Sequence, residues 1–362
     1  MLKPRKAVQS IPAYHPPLAG RDGLRLDFNE NTSGCSPRVL NRLRSLGPED
    51  LAKYPERDAV EAQIAAFFKV APSKVLLTNG VDEAIHLLCQ TYLESGDEAL
   101  IVVPTYSMYR IYATSAGAKV IAIPAKNNFE FPASDLIQRF SDRTRLICIA
   151  NPNNPTGAVA STEDLIQIAR SAPSAAVLVD EAYVEYYGKT FLDHRQDLPN
   201  VFIARTFSKV YGLAGLRIGV LVGDAVQMSS LRLVASPYNV NAVALACLPE
   251  AISDHVYVSQ YVSEIREVRC RLESILERAG IQFWRSQANF ILMRIGPSNA
   301  QAASFVESMR RRGILVRDRS SDYGCEGCVR ITVGSEHQAD RLFTALQTSF
   351  EELGIAQGAS RP

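Results

Sequence analysis

The residue best suited to covalent chemistry is Lys209, which follows the apolar run Val201–Arg205 and lies among hydroxyl side chains. A single lysine is by default a solvated side chain, but it becomes a nucleophilic amine when it is desolvated or lies near other cations. Asp180 ends another apolar run, Ala176–Val179. Because burying a carboxylate is costly without a cation, we expect a partner such as a protonated ring nitrogen, with a simple capping role as the alternative.

A glycine turn offers a site for an anion. Asn79-Gly80-Val81-Asp82-Glu83 separates the apolar run Val75–Thr78 from a stretch with helical spacing. Free N–H groups at the start of a helix attract anions, so we expect a phosphate on Gly80, Val81 and Asp82, with an ordinary strand-to-helix turn as the alternative. The usual nucleotide fingerprints are absent, since no G-x-G-x-x-G occurs and Gly188-Lys189-Thr190 lacks the upstream glycine of a phosphate loop.

The elements that position these residues are short apolar runs rich in β-branched residues. Continuous hydrophobicity indicates strands covered on both faces, as in a mostly parallel sheet flanked by helices. Ligands gather at the carboxyl ends of such strands, where Asp180, Lys209 and the turn Asn151–Gly157 lie. The predicted strands are Val75–Thr78, Ala99–Val103, Val120–Ile123, Leu146–Ala150, Ala176–Asp180, Val201–Arg205 and Ile218–Val222.

Beyond about residue 250 the pattern changes to long charged helices, such as Val262–Ala279, and few strands, which predicts a smaller α+β domain. We expect the short run Leu24–Phe28 to lie against it. The predicted divisions are an N-terminal arm and part of the small domain at 1–45, a large cofactor-binding domain at 46–248 and a C-terminal small domain at 249–362, with 357–362 frayed. The remaining predicted strands are Phe290–Ile295, Ile314–Val316 and Val329–Val333.

Composition favours a soluble enzyme. The chain of 362 residues has 39 Lys and Arg against 38 Asp and Glu, and no basic block that would indicate nucleic-acid binding. No membrane-spanning run or secretory signal is readable, and seven scattered cysteines indicate a reducing cytoplasm. Cys325 and Cys328 form a Cys-x-x-Cys without a second pair, so we interpret them as loop residues and predict no metal site.

Four motifs in this order resemble the class I and II aminotransferases of fold-type I, which use pyridoxal 5′-phosphate (PLP). They are Asn154-Pro155-Thr156-Gly157, Asp180-Glu181-Ala182-Tyr183, Ser208-Lys209, and Arg217 eight residues after the lysine. Further segments are similar to histidinol-phosphate aminotransferases, namely Asn29-Glu30-Asn31, Tyr54-Pro55-Glu56, Gly80-Val81-Asp82-Glu83, Pro104-Thr105-Tyr106-Ser107-Met108-Tyr109, Leu213-Ala214-Gly215-Leu216-Arg217 and Val329-Arg330-Ile331-Thr332-Val333-Gly334. The chain departs from the pattern at Thr32, where the family commonly has proline, and at Val81, where a smaller residue is usual.

The resemblance, which spans about Tyr14 to Gly334, implies an α/β fold-type I PLP-transferase with a smaller α+β domain and assigns roles around the cofactor. Lys209 holds the cofactor covalently and moves the proton, and Asp180 pairs with the pyridinium nitrogen. Asn154 and Tyr183 bond the phenolic oxygen, and Tyr106 stacks on the ring. Gly80, Val81, Asp82, Thr206, Ser208 and Arg217 hold the phosphate, together with Tyr54 of the neighbouring subunit in a homodimer with shared active sites.

The same resemblance implies an acidic substrate. Arg330 matches the arginine that grips the acidic group, and Arg317 matches a second arginine thirteen residues earlier, although a surface position for Arg317 is the alternative. A guanidinium binds carboxylate or phosphate bidentately, so one pocket can take a phosphorylated donor and then a dicarboxylic oxoacid. Tyr14 is expected to complete the phosphate site, and Asn31 to border the substrate pocket.

The leading prediction is therefore transamination of L-histidinol phosphate with 2-oxoglutarate, in histidine biosynthesis. The runner-up is an aromatic or broad-specificity amino-acid aminotransferase, and a third alternative is a PLP enzyme that decarboxylates threonine phosphate. A non-enzymatic regulator with the same fold usually carries an added DNA-binding domain, for which we find neither spare length nor a basic segment.

Overall fold

A computed structural model describes residues 2–13 and 20–355 of the chain. The strands are β1 (Leu24–Arg25), β2 (Val75–Thr78), β3 (Glu98–Val103), β4 (Lys119–Pro124), β5 (Thr144–Ala150), β6 (Ala176–Asp180), β7 (Val201–Thr206), β8 (Gly219–Val222), β9 (Gln282–Trp284), β10 (Phe290–Arg294), β11 (Ile314–Leu315), β12 (Arg317–Asp318) and β13 (Cys328–Thr332). The helices are α1 (Lys6–Gln9), α2 (Pro37–Arg44), α3 (Pro48–Ala52), α4 (Asp58–Phe67), α5 (Gly80–Tyr92), α6 (Met108–Ala116), α7 (Ala133–Gln138), α8 (Thr162–Ser171), α9 (Val184–Tyr187), α10 (Ala225–Val234), α11 (Ala242–Ser253), α12 (His255–Arg278), α13 (Asn299–Arg311) and α14 (Glu336–Glu352).

The central sheet has seven strands in the order β2-β8-β7-β6-β5-β3-β4. Only β8 runs antiparallel to its neighbours, so the sheet is mostly parallel, as predicted. Alternate side chains enter the cores on opposite faces: Val75 and Leu77 belong to one core and Leu76 to the other. All seven predicted apolar runs are strands of this sheet; β2, β6, β7 and β8 are buried throughout, whereas the edge strand β4 is partly exposed.

The second sheet has four antiparallel strands in the order β12-β13-β10-β9. It contains the predicted runs Phe290–Ile295 and Val329–Val333. The helix predicted at Val262–Ala279 is longer than expected and begins at His255, because Asp254 caps it by accepting a hydrogen bond from the N–H of Tyr257 at 3.2 Å. The divisions at 45/46 and 248/249 stay predictions.

The N-terminal segment contacts the smaller sheet region as predicted, through β1, which pairs in parallel with β11. The strand is shorter than the predicted Leu24–Phe28, because the chain turns away before Asn29, whose backbone adopts a left-handed φ of 54°. The N–H of Asn29 then donates to Thr332 Oγ1 of β13 at 3.0 Å. This turn brings Phe28 and Asn29 to the carboxyl edge of the large sheet.

The interpretation of Cys325 and Cys328 as loop residues is wrong for Cys328, which is the first residue of β13. Both thiols are buried and pack with Leu292, since a free thiol behaves as a small hydrophobe. All seven cysteines are free. Among the described residues, none of the helices has the length and apolar character that a membrane crossing requires.

Candidate active site

The carboxyl ends of β5, β6 and β7 meet at one edge, where Asp180 lies between Ala150 and Ala204 in the sheet register. Asp180 is 5% exposed. One carboxylate oxygen accepts the hydroxyl of Tyr109 at 2.6 Å, and the other accepts the N–H of Ala182 at 3.0 Å. Burial raises the pKa of Asp180 to about 6, although both donors act to lower it. No cation among the described residues forms an ion pair with this carboxylate, so it is suited to meet a cationic ligand.

Tyr109 is a site residue to which the sequence reasoning gave no role. It lies in the first turn of α6 with no exposed surface, and its hydroxyl bonds Asp180. Tyr109 belongs to the motif Pro104–Tyr109, in which only Tyr106 was predicted to contact the cofactor. The available signal is spacing, because Tyr109 and Ala113 are one turn apart in an amphipathic helix and share its buried face.

Lys209 follows β7 and reaches the same edge. Its Nζ donates to the carbonyl oxygen of Phe28 at 3.0 Å and lies 5.7 Å from the centre of the Tyr183 ring. The segment before Asn29 therefore covers the amine, which explains why the N-terminal turn matters to the site. The amine has no carboxylate partner among the described residues, and a nucleophile needs that freedom.

Tyr183, which lies near the lysine, and Asn154 belong to two hydrogen-bond networks. The buried hydroxyl of Tyr183 accepts from Asn29 Nδ2 at 2.9 Å. The amide oxygen of Asn154 accepts from Arg330 Nη1 at 2.5 Å. Asn29 is a second site residue to which the sequence motifs assigned no role. Its side chain links Tyr183 to Thr332 of the smaller sheet.

The residues of the predicted phosphate cradle lie where α5 begins close to β8. Gly80 has φ +73°, and a Cβ on it would lie 2.7 Å from Arg217 Nη2. Arg217 in turn contacts one oxygen of Asp82 at 3.1 Å, and the hydroxyl of Tyr106 donates to the other at 2.7 Å. The N–H groups of the helix start, with a guanidinium close to them, are suited to binding an anion.

Two hydroxyl side chains, Thr206 and Ser208, lie beside this cradle at the end of β7, and both are buried. The N–H of Ser208 donates to Thr206 Oγ1 at 3.1 Å, so the two residues hold one turn. The collected groups are an amine, a buried carboxylate without a cation, a phosphate cradle and two hydroxyls. This donor set fits PLP, which carries an aldehyde, a ring nitrogen that can be protonated and a phosphate.

The two arginines predicted to bind the acidic substrate group are neighbours, because Arg317 of β12 is paired with Arg330 of β13. Arg330 Nη2 donates to the carbonyl oxygen of Asp27 at 2.6 Å, and its guanidinium lies over Phe290. Burial lowers the pKa of Arg330 to about 10. The Arg317 guanidinium lies 5.4 Å from the centre of the Phe28 ring, and Phe28 is the residue whose carbonyl oxygen accepts from Lys209. Arg317 is half-buried between these groups and is not a freely solvated side chain.

Three predicted residues are placed differently from the others. Tyr54 is 79% exposed and stacks on Tyr238. The amide of Asn31 donates to the carbonyl oxygen of Val210, the residue after Lys209, at 2.8 Å, so it fixes a loop next to the lysine. Tyr14 lies outside the described residues.

Comparison with known proteins agrees with this arrangement. Residues 21–346 match the model of the aminotransferase class I and II family. The chain is 34% identical to a histidinol-phosphate aminotransferase of Pelagibacter ubique, over 97% of this chain and all of the relative, and 35% identical to one of Symbiobacterium thermophilum, over 92% of each.

Solved structures share the fold. A histidinol-phosphate aminotransferase from Sinorhizobium meliloti in complex with pyridoxal-5′-phosphate superimposes with a TM-score of 0.88 at 24% identity, over 96% of this chain and 97% of that one. An aspartate aminotransferase from Thermus thermophilus with maleate gives a TM-score of 0.84 at 22% identity, over 98% of this chain and all of that one. With the family model covering nine-tenths of its length, the chain belongs to the class I and II aminotransferases.

Proposed function

We propose that this aminotransferase transfers the amino group of L-histidinol phosphate to 2-oxoglutarate, forming imidazole acetol phosphate and glutamate, in histidine biosynthesis. The observation that carries the proposal is the pairing of Arg317 and Arg330 beside the residues that surround Lys209. Two guanidinium groups suit a phosphate dianion, and either suits a carboxylate. The names of the relatives support the same substrate.

PLP is the proposed cofactor; when bound, it supplies an aldehyde that takes up the amino group and a ring that withdraws electrons from the substrate carbon. Lys209 Nζ would hold the aldehyde covalently and, when free, would accept the proton from the substrate carbon and return it on the cofactor side. Asp180 holds the ring nitrogen protonated. A buried carboxylate that lacks a cation gains most from this contact.

The remaining residues orient the two ligands. Tyr183 and Asn154 are proposed to bond the phenolic oxygen of the ring, and Tyr106 to stack on its face, while keeping contact with Asp82. Gly80, Val81 and Asp82 hold the phosphate through their N–H groups, with Thr206, Ser208 and Arg217 as further donors. Tyr14 is proposed for the substrate phosphate, and Asn31 shapes the edge of the substrate pocket by holding Val210.

A homodimer with shared active sites is part of the proposal. Tyr54 lies in a group of exposed apolar residues on one part of the surface, which a monomer would leave in water. The members of this group are Leu51, Tyr54, Leu233, Val234 and Tyr238, and Leu233 is 87% exposed. A second copy seated here would bring Tyr54 to the partner's cofactor phosphate. The seven free thiols support a cytoplasmic location.

The deciding experiment is a panel of amino donors assayed with 2-oxoglutarate, together with Arg317→Ala. We expect histidinol phosphate to give the highest kcat/KM. Arg317→Ala should lower that value by about ten- to a hundredfold, because one charge-assisted partner of the phosphate is lost. Phenylalanine, which needs one arginine for its carboxylate, should be affected far less, whereas Arg330→Ala should harm both donors.

Other outcomes of the panel point to the two alternatives. Equal losses for histidinol phosphate and phenylalanine in Arg317→Ala would favour a broad-specificity aminotransferase. Release of carbon dioxide from threonine phosphate without need for an oxoacid would favour a decarboxylase.

A further inference from the structure

The face of the small sheet that carries Arg317 and Arg330 also carries a third arginine, Arg319. The N–H of Arg319 donates to the carbonyl oxygen of Cys328 at 3.0 Å, so pairing with β13 continues past the end of β12. Side chains alternate along a strand, which places Arg319 on the same face as Arg317 and beside Arg330. Its side chain is only 14% exposed.

The acid Asp322 is paired with one of these three guanidinium groups. It forms an ion pair with Arg319, closed by a turn in which the Asp322 N–H donates to the Arg319 carbonyl at 2.9 Å. The side chain of Asp322 is 24% exposed. Burial raises the pKa of Asp322, while the charges of Arg319, Arg330 and Arg317 oppose that rise, which indicates that all three lie within its field.

The other acid of this segment has a different partner. Asp318 accepts the N–H of Ser320 at 2.8 Å and its hydroxyl at 2.5 Å. It alternates with Arg317 along β12 and therefore points to the opposite face. Asp322 is thus the carboxylate of this segment that belongs to the arginine cluster, which we define as Arg317, Arg319 and Arg330.

The formal charges of the arginine cluster and Asp322 can be added together. Three guanidinium groups and one carboxylate leave a net charge of about two, the magnitude carried by a phosphate monoester above its second pKa of roughly 6. We propose that Asp322, held by Arg319, is the internal counter-ion of the arginine cluster and moderates its attraction for dianions, so that one pocket can release a phosphorylated ligand and then accept a carboxylate. This inference rests on the proposed function.

The pair makes two opposite predictions for its single variants. Asp322→Asn frees Arg319 and should tighten binding of a dianion by about tenfold and of a monoanion by about threefold, since the energy scales with ligand charge. Arg319→Gln leaves Asp322 facing Arg317 and Arg330, where it competes with the ligand, and should weaken dianion binding by about tenfold. The double variant loses both charges and should return to within about threefold of the wild type.

The test is calorimetric titration of the PLP-saturated enzyme with phenyl phosphate and with benzoate, at about pH 8, where the phosphate monoester is a dianion. These two probes share a ring and differ in charge. Asp318→Asn is the matched control, because its carboxylate lies on the other face and its loss should change either affinity by less than about twofold. Thermal unfolding of each variant is measured in parallel.

The outcomes separate the inference from the proposed function. Opposite shifts for Asp322→Asn and Arg319→Gln support the inference, whereas equal losses in both, accompanied by lower thermal stability, would show an ordinary structural ion pair and overturn it. Arg317→Ala tests the pocket itself. If Arg317→Ala weakens phenyl phosphate but Asp322→Asn leaves it unchanged, only the counter-ion role fails; if Arg317→Ala has no effect, the phosphate pocket fails as well.

Discussion

At the scale of single residues, Lys209 and Asp180 are alike in having only neutral hydrogen-bond partners within the described part of the chain. The amine of Lys209 donates to a neutral carbonyl, and the carboxylate of Asp180 accepts from neutral donors. Neither has a counter-charge among the described residues, although Asp180 is fully enclosed. PLP would supply a bonding partner for both groups at once. This is a physical reason why neither group is paired with an opposite charge among the described residues.

The first prediction concerns the covalent attachment of the cofactor. The purified protein should be yellow, and borohydride should fix PLP to Lys209, because reduction turns the linkage into a stable amine. Lys209→Ala should still bind PLP without this linkage and lose nearly all turnover. Peptide mapping checks the site, with Lys189→Ala as a control that keeps the label; a label on any other lysine would refute the assignment.

The second prediction concerns Tyr109. Its hydroxyl stabilises the charged form of Asp180, and hydrogen bonds to charged groups are worth about 1.5–3 kcal/mol, so Tyr109→Phe should weaken PLP binding by about ten- to a hundredfold. Equilibrium titration with PLP measures the change. Tyr186→Phe is the matched control, because that buried hydroxyl has no hydrogen-bond partner within the described part of the chain.

The pH dependence of PLP affinity is a second test of the Tyr109→Phe variant. Because burial raises the pKa of Asp180 from 3.8 to about 6, its protonated form is favoured in the cofactor-free fold. The contribution of Asp180 to the free energy of unfolding is fully present below about pH 4 and is lost as the pH rises through about 6. PLP requires the charged form, so its affinity should fall as the pH drops below about 6, and at a higher pH in Tyr109→Phe. Identical pH profiles for the two proteins would contradict a role for Tyr109.

At the scale of elements, the cradle depends on how closely β8 passes the start of α5. A Cβ on Gly219 would lie 2.8 Å from the carbonyl carbon of Gly80 and 2.9 Å from the nitrogen of Val81. Both are backbone atoms, which cannot rotate away. The glycine is therefore required by packing between the strand and the phosphate-binding turn.

Gly219→Ala should displace the first turn of α5. Overpacking of this kind costs about 1–3 kcal/mol, and we expect PLP binding to weaken about tenfold or more. Binding of pyridoxal, which lacks the phosphate, should change little. Gly215→Ala is the control from the same segment, since a Cβ there meets no atom within 4 Å. Equal effects on PLP and pyridoxal would show general damage instead of a displaced cradle.

At the scale of the whole molecule, Tyr54 needs a partner subunit to have the proposed role. Its ring stacks on Tyr238 at a centroid distance of 4.3 Å on the exposed apolar surface. An exposed tyrosine of this kind is available to a second subunit. The dimer would therefore form active sites that neither subunit completes alone.

Hybrid dimers test this sharing, provided that Tyr54→Phe is itself crippled. When Lys209→Ala and Tyr54→Phe subunits are mixed, each hybrid should contain one site with both residues intact, and activity should return in an assay with the preferred donor. A mixture of Lys209→Ala with Asp180→Ala is the control and should stay inactive, because both lesions fall in sites built from one chain. No recovery despite confirmed subunit exchange would count against sharing.

The sequence by itself determined the family, the mostly parallel sheet and which residues lie at the ends of its strands. These features are local, because continuous apolar runs and turn residues specify strands and their ends without reference to the rest of the chain. Asp180 and Lys209 could be identified for that reason, since Asp180 ends one buried strand and Lys209 lies shortly after another. The family assignment agrees with the relatives, and the individual site roles stay predictions.

Only the tertiary structure decided which distant residues meet. Asn29 bonds Tyr183 across 154 positions and Arg330 bonds Asn154 across 176, and no periodic pattern encodes such pairs. The same holds for Tyr109 with Asp180, and for the shortened β1, whose end is set by the turn that carries Phe28 to Lys209. Burial decides these contacts: a polar group enclosed by the fold must find whichever partner the packing leaves within reach.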